Sequence, residues 1–359
     1  MSFRAVSEQA DPMAGSPMVD LRSDTVTLPT LEMYERMANA PLGDDGLDFD
    51  PSARELEEYM AQVLGKEAGL FVPSCTMANL LATLTQSQSR QQIILDSTAH
   101  MYTSERGGAT FTGLFYVGIP SQGGVIDLAE TEDALKGNKS KLSTALVTME
   151  TSHNNSGGLV PPVAHMVKLY ELAHQHGAQV HLDGARLFNA AVSLGVPAAT
   201  LARCADTVAV CLSKGLSAPV GAVLTGPSTI IHSARQLRRM IGGTQRQVGI
   251  MAAAGMYAVE HMVDRLANDH RRATMLSDQV NALGLPIAAS QAQTNIVQVD
   301  VSHYGVDSSE WVKALKSLGL LTRPWGANKL RCVTHRHIKN LDIAHAVNCV
   351  KRVASTFNQ

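Results

Sequence analysis

The chain has 359 residues, of which 45% are hydrophobic and 17% are charged, and its formal net charge is −2. This length corresponds to roughly two domains of about 150 residues, and the apolar content is too high for a disordered chain. The nearly neutral charge argues against a dedicated nucleic-acid-binding protein. Since no apolar run approaches the roughly 18 residues of a membrane helix, we expect no membrane partner.

The first 18 residues lack the apolar core of a signal peptide, and we expect them to form a flexible arm of a cytoplasmic protein. The five cysteines are scattered and none forms a CxxC pair, which is typical of reduced, buried thiols in that compartment. Two HxH pairs, His174/His176 and His335/His337, lack a third ligand at a useful spacing. The sequence therefore predicts no metal site.

Short apolar runs alternate with stretches of helical period through most of the chain. The runs predict strands at 69–73, 93–96, 114–119, 144–150, 179–183, 207–213 and 221–226. The periodic stretches predict helices at 52–65, 76–87, 163–176, 229–240 and 247–282. Strands flanked by helices indicate an α/β fold whose mostly parallel sheet is covered on both faces.

The alternation weakens toward the C-terminus, where a strand at 295–301, a helix at 308–318 and a strand at 329–335 predict a smaller α/β domain. We place the large domain at 19–268, with its first part able to pack on the small domain, and the small domain at 269–359.

Polar residues follow several of the predicted strands directly: Ser74, Glu150, Asp183 and the pair Ser213-Lys214. Ligands of open α/β sheets bind at the carboxyl ends of the strands. We therefore expect these side chains to surround one site.

Lys214 and Asp183 together suggest a cofactor. Lys214 emerges from an apolar strand into a neighbourhood with few charges, which suits an amine that forms Schiff bases. Asp183 ends another strand, and pyridoxal 5′-phosphate (PLP) needs a carboxylate against its ring nitrogen. Taken singly, Lys214 could be a solvated loop lysine and Asp183 a turn residue; the pair favours PLP.

Other residues could complete such a site. Ser74-Cys75-Thr76 lies between a strand and a helix, where backbone N–H groups can bind a phosphate, although a simple helix cap is equally compatible. Arg186 and Arg331 could bind a substrate carboxylate in bidentate fashion, Arg331 across a domain cleft, with a surface ion pair as its alternative. His100 and His153 follow strands, and either could stack on a flat cofactor or act as a general base.

Taken together, these motifs resemble the PLP-dependent L-threonine aldolases of the low-specificity type, which belong to the β-eliminating lyase family and have the aspartate-aminotransferase-like fold (fold type I). The resemblance runs from about residue 19 to the C-terminus. Its carriers are DLRSDTVTLPT (20–30), PSCTMANLLA (73–82), AHMYTSERGGA (99–109), HNNSGG (153–158), VHLDGARLFNAAVSLGV (180–196), CLSKGLSAPVGAVL (211–224), RQVG (246–249), TNIV (294–297) and RCVTH (331–335).

The resemblance implies a role for each matching residue. Lys214 matches the lysine that binds the cofactor and Asp183 the partner of the ring nitrogen. The other matches are Ser74, Cys75 and Thr76 at the phosphate, His100 on the ring, Arg186 at the phenolic oxygen and the substrate carboxylate, Ser23 and Arg331 as further carboxylate ligands, Glu105 and His153 near the β-hydroxyl, and Arg246 at the phosphate of a neighbouring subunit.

The implied reaction is a retro-aldol cleavage of L-threonine, L-allo-threonine and related β-hydroxy-α-amino acids to glycine and an aldehyde, through an external aldimine and a quinonoid. The alternatives are β-elimination or racemisation on the same scaffold, and a non-catalytic PLP-binding protein. The role of Arg246 implies a homotetramer, a dimer of dimers with active sites at the dimer interface. Two positions depart from the family pattern: Cys75 replaces a glycine, and Leu47 replaces a tyrosine in a loop expected to line the entrance.

Overall fold

The computed structural model describes residues 18–105, 107–137 and 142–357, so nearly all of the predicted arm lies outside the described residues. The first half of the chain forms β1 (Val19–Asp20), α1 (Leu31–Ala38), α2 (Pro51–Leu64), β2 (Ala68–Val72), α3 (Cys75–Gln86), β3 (Gln92–Asp96), α4 (His100–Thr103), α5 (Gly107–Thr112), β4 (Phe115–Ile119), β5 (Ser121–Gln122), β6 (Val125–Ile126), α6 (Leu128–Lys136), β7 (Thr144–Glu150), α7 (Val163–Gln175) and β8 (Gln179–Gly184). The second half forms α8 (Leu187–Leu194), α9 (Ala198–Ala202), β9 (Thr207–Cys211), β10 (Ala222–Gly226), α10 (Ser228–Met240), α11 (Gly249–His261), α12 (Leu266–Asn281), β11 (Ala288–Ala289), β12 (Ile296–Asp300), α13 (Ser308–Ser317), β13 (Leu320–Leu321), β14 (Arg323–Trp325), β15 (Lys329–Val333) and α14 (Asn340–Phe357).

Seven strands form the central sheet, in the order β2-β10-β9-β8-β7-β3-β4. Neighbouring strands are parallel except at β10, which is antiparallel to both β2 and β9. These are the seven strands that the apolar runs predict, so the predicted α/β fold with a mostly parallel sheet is confirmed.

The sheet is buried on both faces because alternate side chains of each strand pack on different helices. In β2, Leu70 and Val72 belong to a cluster with α3 and α10, whereas Phe71 belongs to the main core with α2, α7 and α11. Every residue of β9 and β10 is buried as a result.

Local signals set the ends of the helices that flank the site. At the start of α2, the Asp50 side chain accepts a hydrogen bond from the Ala53 backbone N–H at 3.0 Å, and Pro51 occupies the first turn. The helix ends at Gly65, whose φ of 64° is in the left-handed region that favours glycine.

A second core surrounds a four-stranded antiparallel sheet, in the order β11-β12-β15-β14. Val19 and Leu21 belong to this core, and β1 pairs in parallel with β13. Leu266 packs in the main core and Ala273 in the second, so the chain passes from one core to the other within α12.

One helix prediction is wrong: the stretch 247–282 forms two helices, α11 and α12, joined at 262–265. The break reorients the chain, because α11 packs on α1 and α2 while α12 packs on α8 and α14. All five cysteines are buried and unpaired, as predicted. Within the described residues, no helix is both long and apolar enough to cross a membrane.

Candidate active site

A cleft of about 320 Å³ opens at the carboxyl ends of the central strands, and both cores contribute to its walls. All of the predicted site residues line it except His153 and Arg246. The lining is Ser23, Thr25, Ser74, Cys75, Thr76, His100, Glu105, Glu150, Ser152, Asn154, Asp183, Ala185, Arg186, Cys211, Ser213, Lys214, Arg323 and Arg331. The parallel strands thus bring together residues that are far apart in the sequence.

Asp183 lies near the end of β8 and is only 2% exposed. Burial raises the pKa of its carboxyl to about 6, and the carboxylates of Glu150 and Glu105 add to the rise while Lys214 and His100 oppose it. Glu150 is its direct neighbour in the register of β7 and β8. A cation in the cleft would relieve this concentration of negative charge.

Lys214 follows β9 in a tight loop that other segments hold. Its backbone carbonyl accepts hydrogen bonds from the Thr27 hydroxyl and the Ser217 backbone N–H, both at 2.9 Å. Ser217 is fully buried with a φ of 66°, which is rare for a residue with a side chain. The loop therefore projects the half-buried Lys214 amine into the cleft.

The twelve-residue helix α3 begins at the cleft. Ser74 caps it, since its hydroxyl accepts a hydrogen bond from the Met77 backbone N–H at 3.2 Å. Ser74 and Thr76 are exposed, whereas Cys75 is buried between them. Capping and phosphate binding are compatible here, because the remaining N–H groups of the first turn face the cleft with the positive end of the helix dipole.

His100 and Glu105 form a pair on one wall. His100 Nδ1 lies 2.7 Å from Glu105 Oε1, and this hydrogen bond raises the pKa of the imidazole in spite of burial. Burial alone would raise the pKa of Glu105, but the hydrogen bond and charge of His100 hold it below its usual value. The His100 backbone N–H donates to Glu150 Oε2 at 2.6 Å, which fixes the start of α4.

Two arginines of the cleft wall converge on Asn154. Arg186 is paired with Asp24, and Arg331 Nη2 donates to Asn154 Oδ1 at 2.8 Å. Burial and the charge of Arg186 lower the pKa of Arg331 to about 9, and its guanidinium lies over the Trp325 ring, 5.0 Å from the centroid. The lowered pKa reflects positive charge that an anion would neutralise, and the ring contact helps to fix the guanidinium.

The buried Nε of Arg331 has no hydrogen-bond partner within the described chain. Buried N–H groups normally find a partner, so this donor is suited to an incoming carboxylate. Ser23, which also lines the cleft, accepts from the Thr25 backbone N–H at 3.3 Å and hydroxyl at 2.9 Å, and caps a short 3-10 turn.

Two predicted residues are not brought to the cleft. The His153 ring is completely buried; its Nδ1 accepts from the Ser156 backbone N–H at 3.2 Å, and its Nε2 lies 3.0 Å from Asp96 Oδ2 without the alignment of a hydrogen bond. Arg246 is largely exposed beside Asp44, with 3.4 Å between Nη1 and Oδ2. Leu47 is 71% exposed and also lies outside the lining.

The prediction missed residues that organise the site: Asp24, Asn79, Asn154 and Arg323, while Glu150 was recognised only as a polar strand end. Asp24 and Asn79 lie inside motifs that carried the resemblance, DLRSDTVTLPT and PSCTMANLLA, and Asn154 follows His153 directly. No sequence signal indicates Arg323, which reaches the cleft because β14 pairs with β15.

The donor set fits PLP. The buried Asp183 carboxylate lines the cleft and can accept a hydrogen bond from a protonated pyridine nitrogen. The Lys214 amine and the start of α3 supply groups for the aldehyde and the phosphate.

The chain matches a known protein family and a curated relative over most of its length. The family described as "Beta-eliminating lyase" matches residues 20–302. Low-specificity L-threonine aldolase 1 of Arabidopsis thaliana is 39% identical over 349 residues, which are 95% of this chain and 98% of the relative.

Solved structures agree with the fold. Threonine aldolase of Leishmania major has a TM-score of 0.80 at 18% identity, covering 94% of this chain and 99% of that one. A structure of SPT with PLP has a TM-score of 0.74 at 18% identity, and the match covers 95% of this chain and 88% of that one.

Proposed function

The chain belongs to the β-eliminating lyase family, and on that premise we propose that it is a PLP-dependent aldolase acting on β-hydroxy-α-amino acids. Its substrates are L-threonine, L-allo-threonine and related compounds, and its products are glycine and an aldehyde. The observation that carries the proposal is that Asp183, Lys214 and the arginines Arg186 and Arg331 line one cleft. Such a cleft binds PLP and an amino acid side by side.

When bound, PLP links covalently to amines and accepts the electron pair of a broken Cα bond. In this chain Asp183 would hold a proton at the ring nitrogen, Lys214 would supply the resident amine, and His100 would lie against the ring. Ser74, Cys75 and Thr76 bind the phosphate at the start of α3.

The carboxylate end decides which bond breaks. Arg186, Arg331 and Ser23 hold the substrate carboxylate, and Asn154 aligns the two guanidinium groups because its Oδ1 accepts from both, at 3.5 and 2.8 Å. Fixing the carboxylate fixes rotation about Cα, and orientation of this kind supplies a large part of catalysis.

The proton of the β-hydroxyl goes to the pair of His100 and Glu105. Glu105 increases the basicity of the imidazole, which suits a general base. As the Cα–Cβ bond breaks, the hydroxyl oxygen becomes the aldehyde carbonyl, and Cα then takes a proton to give glycine. His153 contributes from behind the wall, where its ring supports the loop that carries Asn154.

The decisive experiment is a substrate panel of L-threonine, L-allo-threonine, D-threonine, phenylserine and serine, with aldehyde and glycine measured separately. Lys214→Ala is the control, and it is expected to lose both aldehyde formation and the visible absorbance of the bound cofactor. Pyruvate and ammonia without aldehyde would favour β-elimination, and inversion of alanine would favour racemisation. Aldehyde formation that survives in Lys214→Ala would contradict the role proposed for Lys214.

The quaternary structure is part of the proposal: a homotetramer in which Arg246 reaches the phosphate of a neighbouring subunit. In support, Arg246 contacts Asp44, in a segment that exposes the large apolar side chains of Leu42 and Leu47. We further propose a cytoplasmic location, supported by the five unpaired thiols.

A further inference from the structure

A chain of hydrogen bonds runs through the core beneath Asp183. Asp183 Oδ2 accepts from Asn79 Nδ2 at 3.0 Å, and Asn79 Oδ1 lies 3.0 Å from His181 Nε2. His181 Nδ1 lies 2.8 Å from the Thr207 hydroxyl, which accepts from Gln86 Nε2 at 2.8 Å. Asn79, His181 and Thr207 are buried and line no part of the cleft.

The chemistry of each group sets the direction of this chain. An ionised Asp183 can only accept, so the Asn79 amide nitrogen faces it and the amide oxygen faces His181. His181 must then carry its proton on Nε2, which leaves Nδ1 to accept from the Thr207 hydroxyl. Burial lowers the pKa of His181 to about 4, consistent with this neutral form.

Every link therefore donates toward Asp183, and Asn79 Nδ2 also donates to the Glu105 carboxylate, at 3.2 Å to Oε2. Aligned hydrogen bonds polarise one another, so the last donor, Asn79, is strengthened by those behind it. We propose that Gln86, Thr207, His181 and Asn79 form a positioning relay that orients Asp183 and keeps its carboxylate ionised beneath the cofactor ring. The inference rests on the proposed function only in that the ring nitrogen of PLP is the partner of Asp183.

The surroundings explain why Asp183 needs such support. The Cys75 thiol lies 3.9 Å from Oδ1, and burial keeps it protonated by raising its pKa. Glu105, in the loop after α4, and Glu150, in β7, favour the protonated form of Asp183. Lys214, in the loop after β9, and His100, in α4, favour its ionised form. Cys75 is the first residue of α3. A donor aimed at the carboxylate shifts this balance toward the ionised acid.

Thr207→Val tests the relay with little change of volume, because it removes only the hydroxyl that donates to His181. Thr225→Val is the matched control: Thr225 is equally buried on the neighbouring strand β10, and its hydroxyl donates to the Val208 carbonyl. His181→Phe removes the next link, and His181→Gln keeps an amide donor near the Nε2 position. Each holoenzyme is compared with wild type by circular dichroism and thermal unfolding before use.

The readouts are the dissociation constant of PLP and the pH titration of the absorbance of the bound cofactor. We expect Thr207→Val and His181→Phe to weaken PLP binding about tenfold, which is the effect of one such hydrogen bond. We also expect the pH titration of the cofactor absorbance to move to higher pH, because Asp183 would lose support for its ionised form. His181→Gln should recover part of the loss, and Thr225→Val should match wild type.

The relay would be overturned if Thr207→Val folds, binds PLP with wild-type affinity and shows the wild-type absorbance titration. It would also be overturned if Thr225→Val changes PLP affinity and the titration as much as Thr207→Val does. Neither readout requires turnover of threonine. A wild-type protein that binds PLP but releases no aldehyde would therefore contradict the proposed aldolase and leave the relay standing.

Discussion

Arg186 and Asp24 form a buried, bidentate ion pair, with 2.8 Å from Nε to Oδ2 and 2.7 Å from Nη2 to Oδ1. Asp24 follows β1, which pairs with β13 and packs in the second core, whereas Arg186 follows β8 of the central sheet. The pair therefore ties the two cores together at the cleft. It also leaves only Nη1 of Arg186 free of Asp24, so the carboxylate of Asp24 sets the direction from which the guanidinium meets substrate.

We expect Asp24→Asn to destabilise the protein by about 3–5 kcal/mol, because it leaves a buried guanidinium without its counter-charge. Arg186 holds the pKa of Asp24 well below its usual range. The stabilisation is therefore complete above the unfolded pKa of about 4 and is lost as the pH falls further. Urea unfolding at neutral and acidic pH measures the difference.

The control for this variant is Asp20→Asn, four residues earlier, which breaks a largely exposed pair with Arg22. Its expected cost is at most about 1 kcal/mol. Equal losses in the two variants would contradict a special role for the buried pair.

Glu105→Gln is expected to lower the pKa of His100, because the hydrogen bond to the carboxylate is the main cause of its rise. If neutral His100 accepts the hydroxyl proton, the acidic limb of the kcat/KM profile for L-threonine moves to lower pH. An NMR titration of the imidazole, assigned with His100→Asn, measures the pKa directly. His100 would be excluded as the base if Glu105→Gln lowers the pKa of its imidazole but leaves the acidic limb of the kcat/KM profile unchanged.

Arg331→Gln is expected to raise KM for every amino-acid substrate by about ten- to a hundredfold, the range of one charge-assisted hydrogen bond. Steady-state kinetics with L-threonine and phenylserine measures it. A change confined to one substrate would contradict a role at the common carboxylate.

Substitution of Arg323 should affect KM differently from substitution of Arg331. Arg323 lies directly opposite Arg331 in the register of β14 and β15, is exposed, and has no ion pair in the described chain. Arg323 also lines the cleft, and its charge acts on that of Arg331. We expect Arg323→Gln to leave KM for L-threonine nearly unchanged and to raise KM for a β-hydroxy-α-amino acid with a second carboxylate. Equal losses for both substrates would make Arg323 a further ligand of the first carboxylate.

Mixing Arg246→Ala with Lys214→Ala should restore part of the activity that each variant lacks. If Arg246 serves the neighbouring site, a mixed dimer contains one site with both residues intact. Activity after subunit exchange measures the effect, with two different affinity tags and sequential purification to isolate the mixed assemblies. Mixed assemblies without recovery would place Arg246 and Lys214 in the same subunit's site.

The sequence by itself determined the strands of the central sheet and the polar residues at their ends. Apolar runs and helical periods are local patterns, and parallel strands bring their carboxyl ends to one edge, so Asp183 and Lys214 were predictable as neighbours. The stretch 247–282 was misjudged because its helical pattern continues across the turn at 262–265, which only packing on two different cores requires.

Tertiary structure alone decided which side chains bind one another. Asp24 and Arg186 are 162 positions apart in the sequence, and His181 and Asn79 are 102 positions apart. No periodicity or motif spacing carries information over sequence separations of this size. His153 stands beside Asn154 in one motif, yet its ring is buried behind the wall while Asn154 joins the arginines. The direction of a side chain depends on the partners that burial brings to it, because a buried polar group must find a hydrogen bond wherever the fold supplies one.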